Sequence, residues 1–191
     1  MARYGLVINV KRCIGCNSCT VACKNWHQIG AGVEGRRRVV DVTSGRYPRL
    51  SKWIFPISCM QCDEAPCITV CPTEATFRRK DGIVALDAAK CIGCKQCIDA
   101  CPYHARYFDE KKGVADGCDL CSSRIDGGLQ PYCVESCATR AMVFGDLSDP
   151  QSDASRLIRS EKGIQLSPQK GTKPKVYYIG ILGSALEMSI V

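Results

Sequence analysis

The chain has 191 residues, a formal net charge of +7 and sixteen cysteines, a length for one large domain or two small ones. Cysteine usage this high requires something to hold the sulfurs. The absence of any run of about 18 apolar residues excludes a direct membrane span.

Residues 1–10 (MARYGLVINV) hold one arginine before an alternating stretch, which predicts a strand over Gly5–Val10. That stretch runs into Cys13 with no long apolar region or cleavage site, so no export signal of the chain's own is expected. The first cysteine group follows: Cys13, Cys16, Cys19 and Cys23. The next stretch, Lys24 to Ser58, carries Trp26, His27 and the run Arg36, Arg37, Arg38, and is expected as a long solvated loop ending in a strand over Lys52–Ile57. Trp26 and Trp53 are read as packing residues, and His27 and His104 as polar residues at the surface or behind the ligands.

The second group is Cys59, Cys62, Cys67 and Cys71. A strand over Gly82–Leu86 is predicted before the third, Cys91, Cys94, Cys97 and Cys101. The fourth is Cys118, Cys121, Cys133 and Cys137, with a strand predicted over Met142–Gly145 after it. Short helices are expected at Cys67–Cys71 and Cys97–Cys101. The tail from Gly145 is rich in Ser, Asp, Lys and Pro, and its apolar end, Val176–Val191, reads either as a packed strand, a frayed end or an arm docking on another subunit.

Each group opens on C-x-x-C and closes on C-x-x-x-C. Cys91 to Pro102 matches the run C-x2-C-x2-C-x3-C-P, in which three cysteines hold one [4Fe-4S] cluster and the fourth ligates the other cluster of a pair. The groups therefore work in twos. A disulfide framework belongs to short exported chains and does not fit. Zinc suits the fourth group taken alone, but not three cysteines within seven residues, and neither histidine falls at a ligand position, so iron and no zinc is expected. The first and third groups are near copies (Cys-Ile-Gly-Cys), and the second and fourth share a longer form, giving an order A, B, A, B that marks a duplicated unit. Gly15 and Gly93 stand where a positive φ turns backbone amides toward a cluster.

The +7 charge points to an acidic partner only until the cofactors are counted. Four oxidised clusters with their thiolates bring about −8 and leave the loaded protein near −1, so nucleic-acid binding is not expected. Lys90 and Lys95 beside the third group should raise the nearby potential relative to the second group, flanked by Asp63 and Glu64.

These groups, from Tyr4-Gly-Leu-Val-Ile-Asn to Gly145-Asp-Leu-Ser-Asp-Pro150 and Gly171-Thr-Lys-Pro-Lys175, resemble the four-cluster iron–sulfur subunits of the molybdopterin oxidoreductases, notably those of polysulfide, thiosulfate, arsenate and dimethyl sulfoxide reductases. The resemblance implies an α+β fold of duplicated, interlocked bacterial-ferredoxin-like units with long loops and a C-terminal arm. Residues 1–58 and 102–147 would form an outer unit, 59–101 an inner one, and 148–191 an extension for partner docking. It implies four [4Fe-4S] clusters: one on Cys13, Cys16, Cys19 and Cys137; one on Cys23, Cys118, Cys121 and Cys133; one on Cys71, Cys91, Cys94 and Cys97; one on Cys59, Cys62, Cys67 and Cys101. The short connection from Cys71 to Cys91 favours the inner pair independently. Some relatives have tryptophan at the second position of the third group and hold three irons; Cys94 is retained here. Lys24 and Ala138 replace the prolines that follow Cys71 and Cys101, so the outer pair is expected in looser turns.

No nucleophile–base constellation, phosphate loop or open metal site is evident, so the chain reads as a non-catalytic conductor of electrons. The resemblance implies a large molybdenum or tungsten pterin catalytic subunit at the Cys13 end and a membrane quinone subunit or other redox partner near Cys59, Cys62, Cys67 and Cys101. It places the chain in the cytoplasm or at the membrane through its partners, or in the periplasm if co-exported with a twin-arginine partner. A free or self-assembling polyferredoxin serving a tungsten aldehyde oxidoreductase or similar enzyme is the alternative.

Overall fold

The structure, a computed structural model, describes residues 2–32 and 35–181. The part of the apolar arm from residue 182 to 191 lies outside the described residues.

Strand β1 (Tyr4–Asn9) is buried through its middle, which is why it reads as a nearly continuous apolar run. It is the centre of a three-stranded sheet, pairing antiparallel with β8 (Met142–Asp146) and parallel with β9 (Val176–Ile179). Gly5 is required there: a Cβ at this position would meet the Lys175 carbonyl and come within 2.5 Å of Leu147 Cδ1. Helix α1 (Ser18–Trp26) carries the end of the first cysteine group.

Three antiparallel hairpins make up the rest of the strands. The first, β2 (Arg37–Arg46) with β3 (Arg49–Ser58), falls where the sequence predicts a long loop before a single strand. Its base is core, with Phe55 and Ile57 fully buried, each contributing about 1.5–3 kcal/mol of apolar burial. Its tip stands in solvent, with Tyr47 89% exposed. β4 (Thr76–Arg78) pairs with β5 (Val84–Leu86), and β6 (Arg106–Asp109) with β7 (Val114–Gly117).

Short helices complete the cysteine segments: α2 (Pro66–Thr69), α3 (Gln96–Asp99), α4 (Ser122–Asp126) and α5 (Tyr132–Glu135). α1 packs on α5 and α2 on α3. The order repeats in space. β8 follows the fourth group and pairs with β1, which precedes the first; β4 follows the second group and pairs with β5, which precedes the third.

The described part of the extension is folded onto this body. Helix α6 (Asp153–Ser160) starts at Ser152, whose Oγ accepts from the Ser155 amide at 3.1 Å. It buries Ala154 against Val7 and Ile179. Before β9 the chain lies along the second cysteine group: the Asp63 and Glu64 amides donate to the carbonyls of Lys173 and Thr172 at 2.9 and 3.0 Å. No helix among the described residues is long and apolar enough to cross a membrane.

Candidate iron–sulfur sites

The four cysteine segments share backbone solutions. Gly15 and Gly93 both sit at φ 70°, followed by Asn17 and Lys95 in the left-handed region at φ 58° and 63° as the N-caps of α1 and α3. In the second and fourth groups Gln61 and Leu120 match at φ 52° and 55°, and Glu74 and Arg140 at 55° and 50°. These strained turns aim donors at sulfur. The Thr76 amide, five residues on, donates to Cys71 Sγ at 3.4 Å, and the Ala141 amide, four residues on, to Cys137 Sγ at 3.3 Å.

The turns after the terminal cysteines differ from the expectation. The Arg140 amide reaches the Cys137 carbonyl at 2.9 Å, just as Glu74 reaches Cys71 and His104 reaches Cys101, so Ala138 does not loosen that turn. After Cys23 there is no turn at all, because α1 continues through Lys24 to Trp26.

Three cavities are each ringed by three cysteines of one group and the last cysteine of another. Cys13, Cys16 and Cys19 meet Cys137 around ≈ 310 Å³ of space between atoms. Cys91, Cys94 and Cys97 meet Cys71 around ≈ 290 Å³. Cys59, Cys62 and Cys67 meet Cys101 around ≈ 320 Å³. The remaining four are electrostatic neighbours: Cys133 and Cys121 act on the Cys23 thiol, and Cys23, Cys133 and Cys121 on the Cys118 thiol. All sixteen thiols are free of disulfides.

Residues 50–147 match a 4Fe-4S dicluster domain, and residues 11–26 a 4Fe-4S binding domain. Over 94% of its length the chain is 40% identical to a putative dimethyl sulfoxide reductase iron-sulfur subunit of Halobacterium salinarum, covering 79% of that protein. It is 38% identical to a tetrathionate reductase subunit of Salmonella typhimurium, with 94% of this chain and 73% of that one aligned. It is 34% identical to the arsenate respiratory reductase iron-sulfur subunit ArrB of a Shewanella species, over 95% and 97% of the two chains. The chain belongs to the iron–sulfur electron-transfer subunits of the molybdopterin oxidoreductases.

The sulfurs of this iron–sulfur subunit suit its [4Fe-4S] cofactors. Burial pushes the Cys23 and Cys59 thiols up to about 12 and Cys62 to about 11. Such thiols stay protonated at neutral pH unless a metal takes the proton's place, and four around one cavity are a donor set for iron. Cys16, exposed, moves the other way, chiefly through the Ser18 hydroxyl 3.3 Å from its sulfur.

The arginine run corrects the expectation of a solvated loop. Arg36 Nε donates to Asp116 at 3.0 Å and its Nη1 to Asp119 at 2.8 Å; Asp119 in turn accepts from the Cys121 amide at 3.1 Å, fixing the fourth group's loop. Arg38 donates to the carbonyls of His104 and Tyr103 at 2.7 and 3.0 Å. Arg37 is only 3% exposed, and its charge is stabilised against burial by Cys133, Cys19, Cys118 and Cys23. Arg106, 8% exposed, is stabilised in the same way by Cys67, Cys59 and Cys97.

His27 lies with Nε2 3.4 Å from Cys121 Sγ, and burial, helped by Arg36, holds its pKa below the usual imidazole range. His104 stands exposed in the turn after Cys101. Trp26 packs edge-on to Tyr132 at 5.9 Å with the Arg124 guanidinium 4.8 Å from its ring, and Trp53 packs against the main core. The lysine and acid flanks prove locally paired. Lys95 Nζ is 3.9 Å from Glu110 and Lys90 Nζ 3.9 Å from Asp87, while Asp63 pairs with Arg3 and Glu64 with Lys173. The contrast in local charge between the second and third groups is therefore smaller than composition alone gives.

Proposed function

We propose that this subunit holds its four [4Fe-4S] clusters as two interlocked pairs and carries electrons between a large molybdenum or tungsten pterin catalytic subunit and a second redox partner. The outer unit, residues 1–58 and 102–147, would hold one cluster on Cys13, Cys16, Cys19 and Cys137 and another on Cys23, Cys118, Cys121 and Cys133. The inner unit, residues 59–101, would hold one on Cys71, Cys91, Cys94 and Cys97 and another on Cys59, Cys62, Cys67 and Cys101. The observation that carries this reading is the exchange of the last cysteine between groups at each cavity. The register of β1 with β8 and of β4 with β5 supports the same nesting.

When bound, each cluster supplies a one-electron donor and acceptor whose potential follows nearby charge, hydrogen bonds to sulfur and exposure. The chain's own residues do the rest. Four cysteines per site would close the iron coordination of a bound cluster and leave no position for a substrate, which supports a non-catalytic role. Phe55, Ile57, Leu120 and Tyr178 are buried in the same core as Cys19, Cys59, Cys118 and Cys133. At the surface, Ile14 is 65% exposed beside Cys16 and is assigned to the catalytic subunit; Ile92 is 66% exposed beside Cys94. The second partner, a membrane quinone subunit or a soluble carrier, is assigned to the inner pair, and the extension over residues 148–191 to partner docking. The loaded complex would sit in the cytoplasm, at the membrane, or in the periplasm according to where the catalytic subunit is sent.

The test is purification without oxygen, with iron and acid-labile sulfide counted per chain and the co-purifying large subunit analysed for a pterin metal. About sixteen irons and sixteen sulfides are expected with that subunit. Zinc without sulfide contradicts the cofactor reading, and a fully loaded chain with no partner contradicts the wire.

A further inference from the structure

Arg37 and Arg106 occupy equivalent places in the two halves of the fold. Each opens the first strand of a hairpin that links an A group to a B group, β2 after the first group and β6 after the third. Arg37 pairs with Ser58, the residue before Cys59, and Arg106 with Gly117, the residue before Cys118. Their guanidinium contacts also correspond. Arg37 Nη1 lies 3.4 Å from Met142 Sδ and Arg106 Nη1 3.3 Å from Thr76 Oγ1, and these partners each stand five residues after the last cysteine of a B group.

Both side chains are more than nine-tenths buried, and both leave Nε without a hydrogen-bond partner. A buried cation with an orphaned donor is costly unless negative charge faces it. No carboxylate is paired with either guanidinium among the described residues. What faces each is sulfur, and from both sites of one pair. Arg37 feels Cys19 of one proposed ligand set and Cys133, Cys118 and Cys23 of the other. Arg106 feels Cys67 and Cys59 on one side and Cys97, whose Sγ is 4.0 Å from Nη1, on the other.

We propose that Arg37 and Arg106 are shared counter-ions, one buried cation set between the two clusters of each pair, holding the outer and inner pairs at potentials tuned independently of each other. Adding an electron to a cluster adds negative charge, so a fixed neighbouring cation stabilises the reduced form and raises the potential. Because each guanidinium is shared within one pair, it moves that pair as a unit.

This inference rests on the ligand sets proposed above, and its test separates the two. Arg37→Gln and Arg106→Gln are made in the loaded protein, iron and sulfide are counted, and the cluster potentials are titrated by electron paramagnetic resonance. Each substitution is expected to lower the potentials of two clusters, the two affected sets being different, while Arg37→Lys and Arg106→Lys stay near the unsubstituted values. If a Gln variant assembles poorly, the loss is expected to be confined to about half of the iron, one pair of the four clusters, and to be restored by Lys. Unmoved potentials at full iron content, the same clusters moving in both variants, loss spread over all four clusters, or a Lys variant as defective as Gln overturns the inference. An unsubstituted protein without iron and sulfide instead removes the ligand reading.

Discussion

His27 Nε2 lies 3.4 Å from the sulfur of Cys121, a residue 94 positions later in the chain. The end of α1 thereby reaches the fourth cysteine group; the same Nε2 is 3.3 Å from Arg36 Nη1, and in the tautomer with hydrogen on Nε2 it donates to the sulfur. A hydrogen bond to sulfur stabilises the more negative, reduced form of a cluster. His27→Phe keeps the ring volume and removes the donor. One cluster's potential should fall by about 40 mV, the one-electron equivalent of a hydrogen bond worth about 1 kcal/mol. A redox titration in which all four potentials stay put contradicts the contact.

Thr172 plays a similar part at the inner pair. Its hydroxyl holds the Cys62 thiol down against the burial that raises it, and lies 2.5 Å from the Tyr103 hydroxyl. Thr172→Val keeps the shape and the backbone bond to Glu64. It should lower the potential of a cluster other than the one His27 serves, by a comparable amount, with iron content unchanged. A shift in the same cluster as His27→Phe would show that the extension does not reach the inner pair.

Lys95 tests how far exposed charge matters. Its Nζ stands 4.1 Å over the Phe108 ring and 3.9 Å from Glu110, with the side chain 52% exposed. Solvent screens such a charge. Lys95→Glu should lower one potential, by less than Arg106→Gln does. A larger shift from Lys95 than from Arg106 would reverse the ranking of buried over exposed charge.

The cysteine grammar carried most of what the sequence could say. Four groups, the repeated Cys-Ile-Gly-Cys, and strands before the first and third groups are local features, and local features are legible in one chain. Strand β2 was not, although its partner β3 holds the strand predicted over Lys52–Ile57, because half of the hairpin stands in solvent and Arg37 to Arg46 mix valine with charge in no strict alternation. Arg37 and Arg106 were hidden for a related reason. Arginine reads as solvated, whether in the basic run at Arg37 or alone at Arg106, and only its burial beside the residue before the next group's first cysteine shows that it turns inward. Thr172 reaches its sulfur across more than one hundred residues, a distance that no periodicity spans.

Gly5 gives a prediction about stability alone. β1 approaches Lys175 so closely that a Cβ must displace the backbone or Leu147. Gly5→Ala should destabilise the loaded protein by about 1–3 kcal/mol, read as a lower midpoint in chemical denaturation. An unchanged midpoint would mean that the β1–β9 pairing yields at little cost.

The interlocking of the two units is tested most directly by comparing Cys133→Ala with Cys137→Ala, two substitutions four residues apart in one group. Cys133 is an electrostatic neighbour of Cys118 and Cys23, whereas Cys137 rings a cavity with Cys13, Cys16 and Cys19. The two variants should lose or convert different clusters, seen as the disappearance of different signals in electron paramagnetic resonance titrations, and Cys137→Ala should share its lost signal with Cys13→Ala. If Cys133→Ala and Cys137→Ala abolish the same signal, the groups keep their own last ligand and the interlocked account is wrong.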